Sequence, residues 1–153
     1  HWNKVLKKTY NKSFNLPYSG ASGGMGAGLK AFLNAELFSG SDFIIKKSDL
    51  SRKIKNSKFI ILGEGKFDKS SLLNKGAFAL AKLAKKEKKI VIGVFGSINC
   101  DKKIINSLFD YMIDISVLAK NNKVEKNYYK NKKNFFLFKI AGELIGNKLR
   151  EYE

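Results

Sequence analysis

The 153 residues carry 30 Lys and Arg against 13 Asp and Glu, a net charge of +17, in a chain long enough for one domain with a real core. No apolar run approaches the length of a membrane span and no signal-peptide pattern opens the chain, so no membrane partner is expected. One cysteine, Cys100, excludes an intrachain disulfide and a cysteine-based zinc site, and fits a reducing, cytoplasmic setting.

From Trp2 to Phe14 the apolar residues Val5, Leu6, Tyr10 and Phe14 recur at three- and four-residue steps, which predicts an amphipathic helix with lysines outside. Pro17 stops any helix. Next, Ser19 to Gly28 packs five glycines, at 20, 23, 24, 26 and 28, ahead of an apolar helix predicted over Leu29 to Leu37. Successive N–H groups in such a loop can form an anion nest, and the following helix adds a partial positive charge. The loop is neither a Walker A motif nor a dinucleotide fingerprint, because its glycine spacing fits neither. The alternative is close packing of a glycine-rich helix start, with Met25 as a core residue.

Between Ser39 and Lys55 the pattern is weakly helical, with Ser41-Asp42 and Ser48-Asp49 as candidate caps. A buried strand is predicted over Phe59 to Leu62, stopping at a Gly63-Glu64-Gly65 turn. Lys66-Phe67-Asp68 and the hydroxyls Ser70 and Ser71 follow, and then a helix over Leu72 to Lys86; the alternative to a site here is a plain strand-to-helix turn with Asp68 or Ser70 as helix cap. Lys89 to Phe95 reads as a strand buried on both faces of a parallel sheet, ending at a Gly96-Ser97 loop. A short helix over Lys102 to Phe109, a third strand over Tyr111 to Val117, a polar loop over Leu118 to Asn127 and a last helix over Phe135 to Tyr152 complete the chain. Phe135 and Phe138 are expected in a packing stripe, and Cys100 as a partly buried apolar residue. Such alternation predicts an α/β fold, a layered parallel sheet with flanking helices, small enough to need further strands from elsewhere.

In open α/β sheets ligands bind outside the carboxyl ends of strands. Glu64 and Asp68 therefore stand where a site is expected, beside Gly63 and Gly65, which let a ligand approach the backbone. Positive charge is nearly all lysine, with Arg only at 52 and 150, whereas phosphate and base readers lean on Arg; a nucleic-acid partner is not expected. The clusters at Lys85-Lys86, Lys88-Lys89 and 130–133 read as solvated helix ends and loops.

Together and in this order the two loops resemble the bacterial glycerate kinase family, the type with neither a Walker A motif nor a hexokinase-like fold. The matching residues are Gly20-Ala-Ser-Gly-Gly-Met-Gly-Ala-Gly-Leu-Lys-Ala-Phe-Leu33, Gly63-Glu-Gly-Lys-Phe-Asp68, Lys75 and Ala81-Lys-Leu-Ala84, with Val91 to Ser97 similar to the family's downstream strand and loop. The resemblance implies a two-domain α/β protein of about twice this length or more, of which residues 1–153 look like the carboxy-terminal portion, with the amino-terminal portion absent. It also implies phosphorylation of D-glycerate by ATP and Mg²⁺, most often at the 2-hydroxyl. Where the family commonly has Gln-Thr this chain has Ser70-Ser71, and Leu73-Asn74 and Ala77 replace a usual His-Gly and proline. These differences bear on substrate contacts more than on the fold.

Phosphoryl transfer needs charge neutralisation and an oriented hydroxyl. On the resemblance, Asp68 is the expected base or Mg²⁺ ligand, Glu64 the second ligand, and Lys75 the cation that reaches phosphate or the glycerate carboxylate, with Lys66 as a further candidate. Ser22, Gly23, Gly24 and Gly26 would supply the backbone nest, and Gly63, Gly65, Ser70 and Ser71 would line the substrate side. Glycine cradle and acidic hairpin are expected to meet at a common mouth. Two other readings stand beside the enzyme: a basic module for RNA or another polyanion, and a remnant of the family without turnover. Apolar faces left bare would favour a homodimer or poor solubility.

Overall fold

The computed structural model describes residues 1–124 and 135–152. Two compact units divide the chain, residues 1–47 and residues 48–153.

The first unit is helical. Helix α1 runs Trp2–Tyr10, and Asn11 ends it in the left-handed region at φ 48°, which an asparagine adopts more readily than most residues. It is therefore shorter than the predicted segment, and Phe14 is buried beyond its end, where its N–H donates to Asn3 Oδ1 at 2.9 Å. Helix α2 spans Ala21–Leu33 with a left-handed kink at Ser22, Gly23 and Gly24, and stops at a left-handed Asn34, before Leu37. Ala27, with Ala31 beside it, packs on Leu6 and Phe14. Met25, expected in the core, stands 62% exposed. Helix α3 covers Gly40–Lys47, where Ser39 Oγ accepts from the Asp42 N–H at 3.2 Å.

The second unit holds the sheet. After α4 (Leu50–Lys55) come β1 (Phe59–Asp68), α5 (Gly76–Lys86), β2 (Ile90–Asn99), α6 (Lys102–Leu108), β3 (Tyr111–Asp114), α7 (Ile115–Asn121) and α8 (Phe136–Arg150). The three strands are parallel in the order β1-β2-β3, with α5 and α6 as the connections. On one face Ile54, Ala77, Ala81, Ala84, Ile105 and Leu108 from α4 to α6 close over the strands. On the other, Ile115 and Ala119 of α7 and Leu137 and Ala141 of α8 pack with Ile113. Buried from both sides, β2 is the near-continuous apolar run that its sequence predicts.

Further boundaries differ from the sequence reading, each for a local reason. The Gly63-Glu64-Gly65 segment is no turn: β1 runs through it and pairs onward, Lys66 with Ser97, Phe67 with Ile98 and Asp68 with Asn99. What permits this is close backbone approach, since a Cβ on Gly96 would run into the carbonyl oxygen of Gly65. Gly96→Ala therefore has no flexible neighbour to displace, and we expect it to cost about 1–3 kcal/mol, read as a lower urea midpoint; an unchanged midpoint would refute the close approach. The helix expected from Leu72 starts at Gly76, because Asn74 sits at φ 62° and breaks the turn that precedes it. Strand β3 ends at Asp114, whose carboxylate caps α7 by accepting from the Ser116 and Val117 N–H groups. Residues 115–121, read as strand and loop, are thus helical. The predicted loop beyond 124 and the lysine cluster at 130–133 lie outside the described residues. Phe135 and Phe138 touch each other, centroids 5.6 Å apart, but both are exposed; Leu137 is the buried member of that turn.

Candidate functional site

Five of the expected residues converge at the carboxyl end of β1. Asp68 is the last residue of the strand, and its Oδ1 accepts from both the N–H and the hydroxyl of Ser70, at 2.8 and 2.7 Å. Ser70 Oγ in turn accepts from Lys75 Nζ at 2.8 Å. Lys66 Nζ lies 3.1 Å from the other Asp68 oxygen. Lys75, at the extended position just before α5, also approaches Glu64 Oε1 at 3.9 Å. Two ammonium groups thus face two carboxylates across one serine hydroxyl. The second Glu64 oxygen, Oε2, is buried with no hydrogen-bond partner among the described residues.

Ser71 does not join this cluster as a ligand would. Fully buried, it accepts from the Asp68 N–H at 3.2 Å and donates to the Lys66 carbonyl at 3.4 Å. Its donor and acceptor roles both go to holding the 66–71 bend. The helix-cap alternative for Asp68 and Ser70 fails as well, since α5 begins after Lys75 with no side-chain cap.

The Asp68 carboxyl is held well below the usual carboxylate range, first by the Ser70 hydroxyl, then by Lys66 and the Ser70 N–H. A carboxylate so stabilised is a weak proton acceptor near neutral pH and suits a cation better than a proton. The same depression has a pH signature. A carboxyl whose folded pKa lies below its unfolded value of about 3.9 stabilises the fold above that value and loses this contribution as pH falls through the folded pKa. We expect stability between about pH 4 and pH 2 to fall more steeply in the native chain than in Asp68→Asn. Urea midpoints across that range check it, and parallel profiles would contradict it.

Asp114 at the end of β3 was not singled out from the sequence, yet it braces the strand ends. Its Oδ2 accepts from the Ile98 N–H at 3.0 Å, and Oδ1 from the N–H and hydroxyl of Ser116 at 2.9 and 2.5 Å. Ile98 is the register partner of Phe67, the residue between Lys66 and Asp68. The signal was present: Asp68-Lys-Ser70 and Asp114-Ile-Ser116 make the same carboxylate-to-serine turn. Alternating Ile113, Ile115 and Val117 hid the second under a strand pattern.

The glycine-rich segment belongs to the first unit. Ser22, Gly23 and Gly24 take φ of 50°, 69° and 97°, a conformation that suits glycine and strains serine. Gly26 admits no side chain, because a Cβ would lie 2.8 Å from the Tyr18 carbonyl oxygen. Gly24 similarly lies under Trp2, 3.0 Å from Cδ1 to an added Cβ. Close packing thus accounts for Gly26 and for the Trp2 side of Gly24, while Ser22, Gly23 and Gly24 together border an open hollow of about 390 Å³ between Trp2, Leu29 and Phe32.

Among the described residues no three His, Cys, Asp or Glu side chains group as a metal cluster, and no helix is long and apolar enough to cross a membrane. The sequence model of the Glycerate kinase family matches residues 1–137. Glycerate 2-kinase of Escherichia coli K12 is 36% identical over 124 residues, covering 77% of this chain and 32% of that protein. Glycerate kinase of Halalkalibacterium halodurans is 31% identical over 115 residues, covering 74% and 30%. A Bacillus cereus glycerate kinase is 29% identical over 151 residues, covering 94% and 40%. The chain thus spans about a third of the length of the curated relatives it matches. With 137 of its residues matched, it belongs to the glycerate kinase family.

Proposed function

We propose that these residues supply part of the active site of a cytoplasmic, ATP-dependent glycerate kinase that phosphorylates D-glycerate at the 2-hydroxyl. The reading rests on one observation above all: Glu64, Lys66, Asp68, Ser70 and Lys75 gather at one strand end in a chain of this family.

A phosphoryl group moving between oxygens leaves little covalent work for the protein, so positioning and charge carry the rate. Lys75 and Lys66 are point cations on flexible stems, suited to the terminal phosphate or to the glycerate carboxylate. When such an anion arrives, each ammonium can turn from its present carboxylate toward it. That exchange would leave Glu64 and Asp68 as a pair of anions. Mg²⁺ is usually held by one or two carboxylates with phosphates and waters completing the shell. The donors fit this: Asp68 is kept ionised, and Glu64 Oε2 has no hydrogen-bond partner among the described residues. Bound there, the ion would neutralise phosphate charge. Ser70 bridges Lys75 and Asp68 and so fixes their spacing. Ser22 and Gly23 offer backbone to a phosphate at the kinked start of α2.

The test is product analysis with the chain as part of a full-length kinase. ATP, Mg²⁺ and D-glycerate are expected to give ADP and 2-phosphoglycerate, identified by phosphorus NMR. A 3-phosphorylated product would move the chemistry to the other hydroxyl. No ADP release with any sugar acid would end the kinase reading.

A further inference from the structure

Two strand ends of the sheet carry the same turn and put it to different use. At the end of β1 and again at the end of β3, an aspartate accepts through Oδ1 from both the N–H and the hydroxyl of the serine that follows next but one. The remaining oxygen sets the two turns apart. Asp68 Oδ2 faces an ammonium, Lys66 Nζ at 3.1 Å. Asp114 Oδ2 faces backbone, accepting from the Ile98 N–H at 3.0 Å.

That N–H lies where β2 has outrun its neighbour. The register of β2 with β3 stops at Phe95 opposite Asp114, whereas its register with β1 continues through Ser97, Ile98 and Asn99. A backbone donor past the end of a ladder needs an acceptor, and the carboxylate of the last β3 residue supplies it. Across β2, the partners of Ser97, Ile98 and Asn99 are Lys66, Phe67 and Asp68. We propose that Asp114 is a positioning residue of the β1 site: through Ile98 it fixes the end of β2, and with it the place from which Lys66 and Asp68 project. The role rests on the kinase reading of that site, where a shift of about 1 Å in a charged group can cost about a hundredfold in rate.

A carboxylate suits both tasks at once, because it offers acceptor oxygens on two sides. Asp114→Asn leaves one. The N–H and hydroxyl of Ser116 and the N–H of Val117 claim that oxygen at the start of α7, which turns the amide NH2 toward another donor at Ile98. Asp114→Ser acts alike, since a serine caps a helix as well as an aspartate does but its hydroxyl is one bond shorter. Both changes keep the cap and lose the tie to β2. Ser116→Ala does the converse, removing a donor to Oδ1 and leaving the Ile98 contact in place.

Amide hydrogen exchange of the 153-residue chain, read by NMR, tests the tie without turnover. In both Asp114 variants the Asp68 N–H, which donates to Ser71 Oγ, is expected to exchange about tenfold faster, with the α7 amides at native rates. A loss of overall stability would instead speed both sets. Within a full-length kinase the same variants are expected to lower kcat/KM for glycerate about tenfold, and Ser116→Ala to stay within about twofold of native. Native exchange at Asp68 in both variants, equal acceleration at Asp68 and in α7, or native kcat/KM despite faster exchange would overturn the proposal. A native kinase that releases no ADP would end the kinase reading instead, and the exchange rates would still decide whether Asp114 sets the strand end.

Discussion

Asp68→Asn and Lys75→Ala are each expected to lower kcat/KM for glycerate by at least about tenfold when the chain works within a full-length kinase. The two changes test opposite ends of one hydrogen-bonded path, Lys75 to Ser70 to Asp68. Asparagine keeps an oxygen to accept from Ser70, so the bend is preserved while the charge is lost. Alanine at 75 leaves the bend intact as well, because Ser71 and the backbone hold it independently. Lys75→Ala should therefore change stability little while turnover falls; Asp68→Asn also gives up, at neutral pH, what the ionised carboxyl adds to the fold. Were the cluster only a surface ion-pair network, exposed as Lys66 and Lys75 are, both variants would retain near-native kinetics. Activity within about tenfold of native for both would remove these residues from the chemistry. A further distinction lies in KM. If Lys75 grips the glycerate carboxylate equally in ground and transition states, its loss raises KM alone; if it meets the moving phosphoryl group, kcat falls.

Much of this site was legible because its chemistry is local. Glu64, Lys66 and Asp68 lie on one stretch of chain, and a strand ending in acids beside glycines points to a strand-end site whatever the exact boundary. Boundaries were where reading failed, each for a local reason that composition does not display. Gly63-Glu64-Gly65 has the composition of a turn, yet β2 offers it a continuous parallel partner up to Asn99. Asn74 looked like one more polar residue in a helical pattern until its left-handed backbone broke that pattern. Ser71 and Ser70 are adjacent hydroxyls that sequence treats alike; burial separates them, one into the bend and one into the charged cluster. Met25 failed for a different reason. The general habit of methionine put it in the core, but the side chain stands 62% exposed on α2.

Phe67→Ala should cost the sheet unit about 3–5 kcal/mol, the largest stability loss expected from any single truncation in it. The ring is fully buried and forms a cluster with Phe95 and Phe109, with centroid separations of 4.8, 5.4 and 5.3 Å. Tilted and edge-on contacts of this kind add to burial beyond area alone. The strand beneath them is shaped to suit, since a Cβ on Gly93 would meet both Phe95 and Phe109. Truncation at 67 leaves two rings facing a cavity that neither can fill without leaving its rotamer. Phe67→Leu, which keeps most of the volume, is expected to cost about half as much or less. Urea unfolding followed by far-ultraviolet circular dichroism measures both. The loss also reaches the site, because Phe67 sits between Lys66 and Asp68 and its backbone pairs with Ile98. Slower turnover and weaker stability should therefore appear together in Phe67→Ala, whereas Lys75→Ala separates them. A midpoint shift equivalent to less than about 1 kcal/mol would mean that the three rings do not form the core that holds the strand end in place.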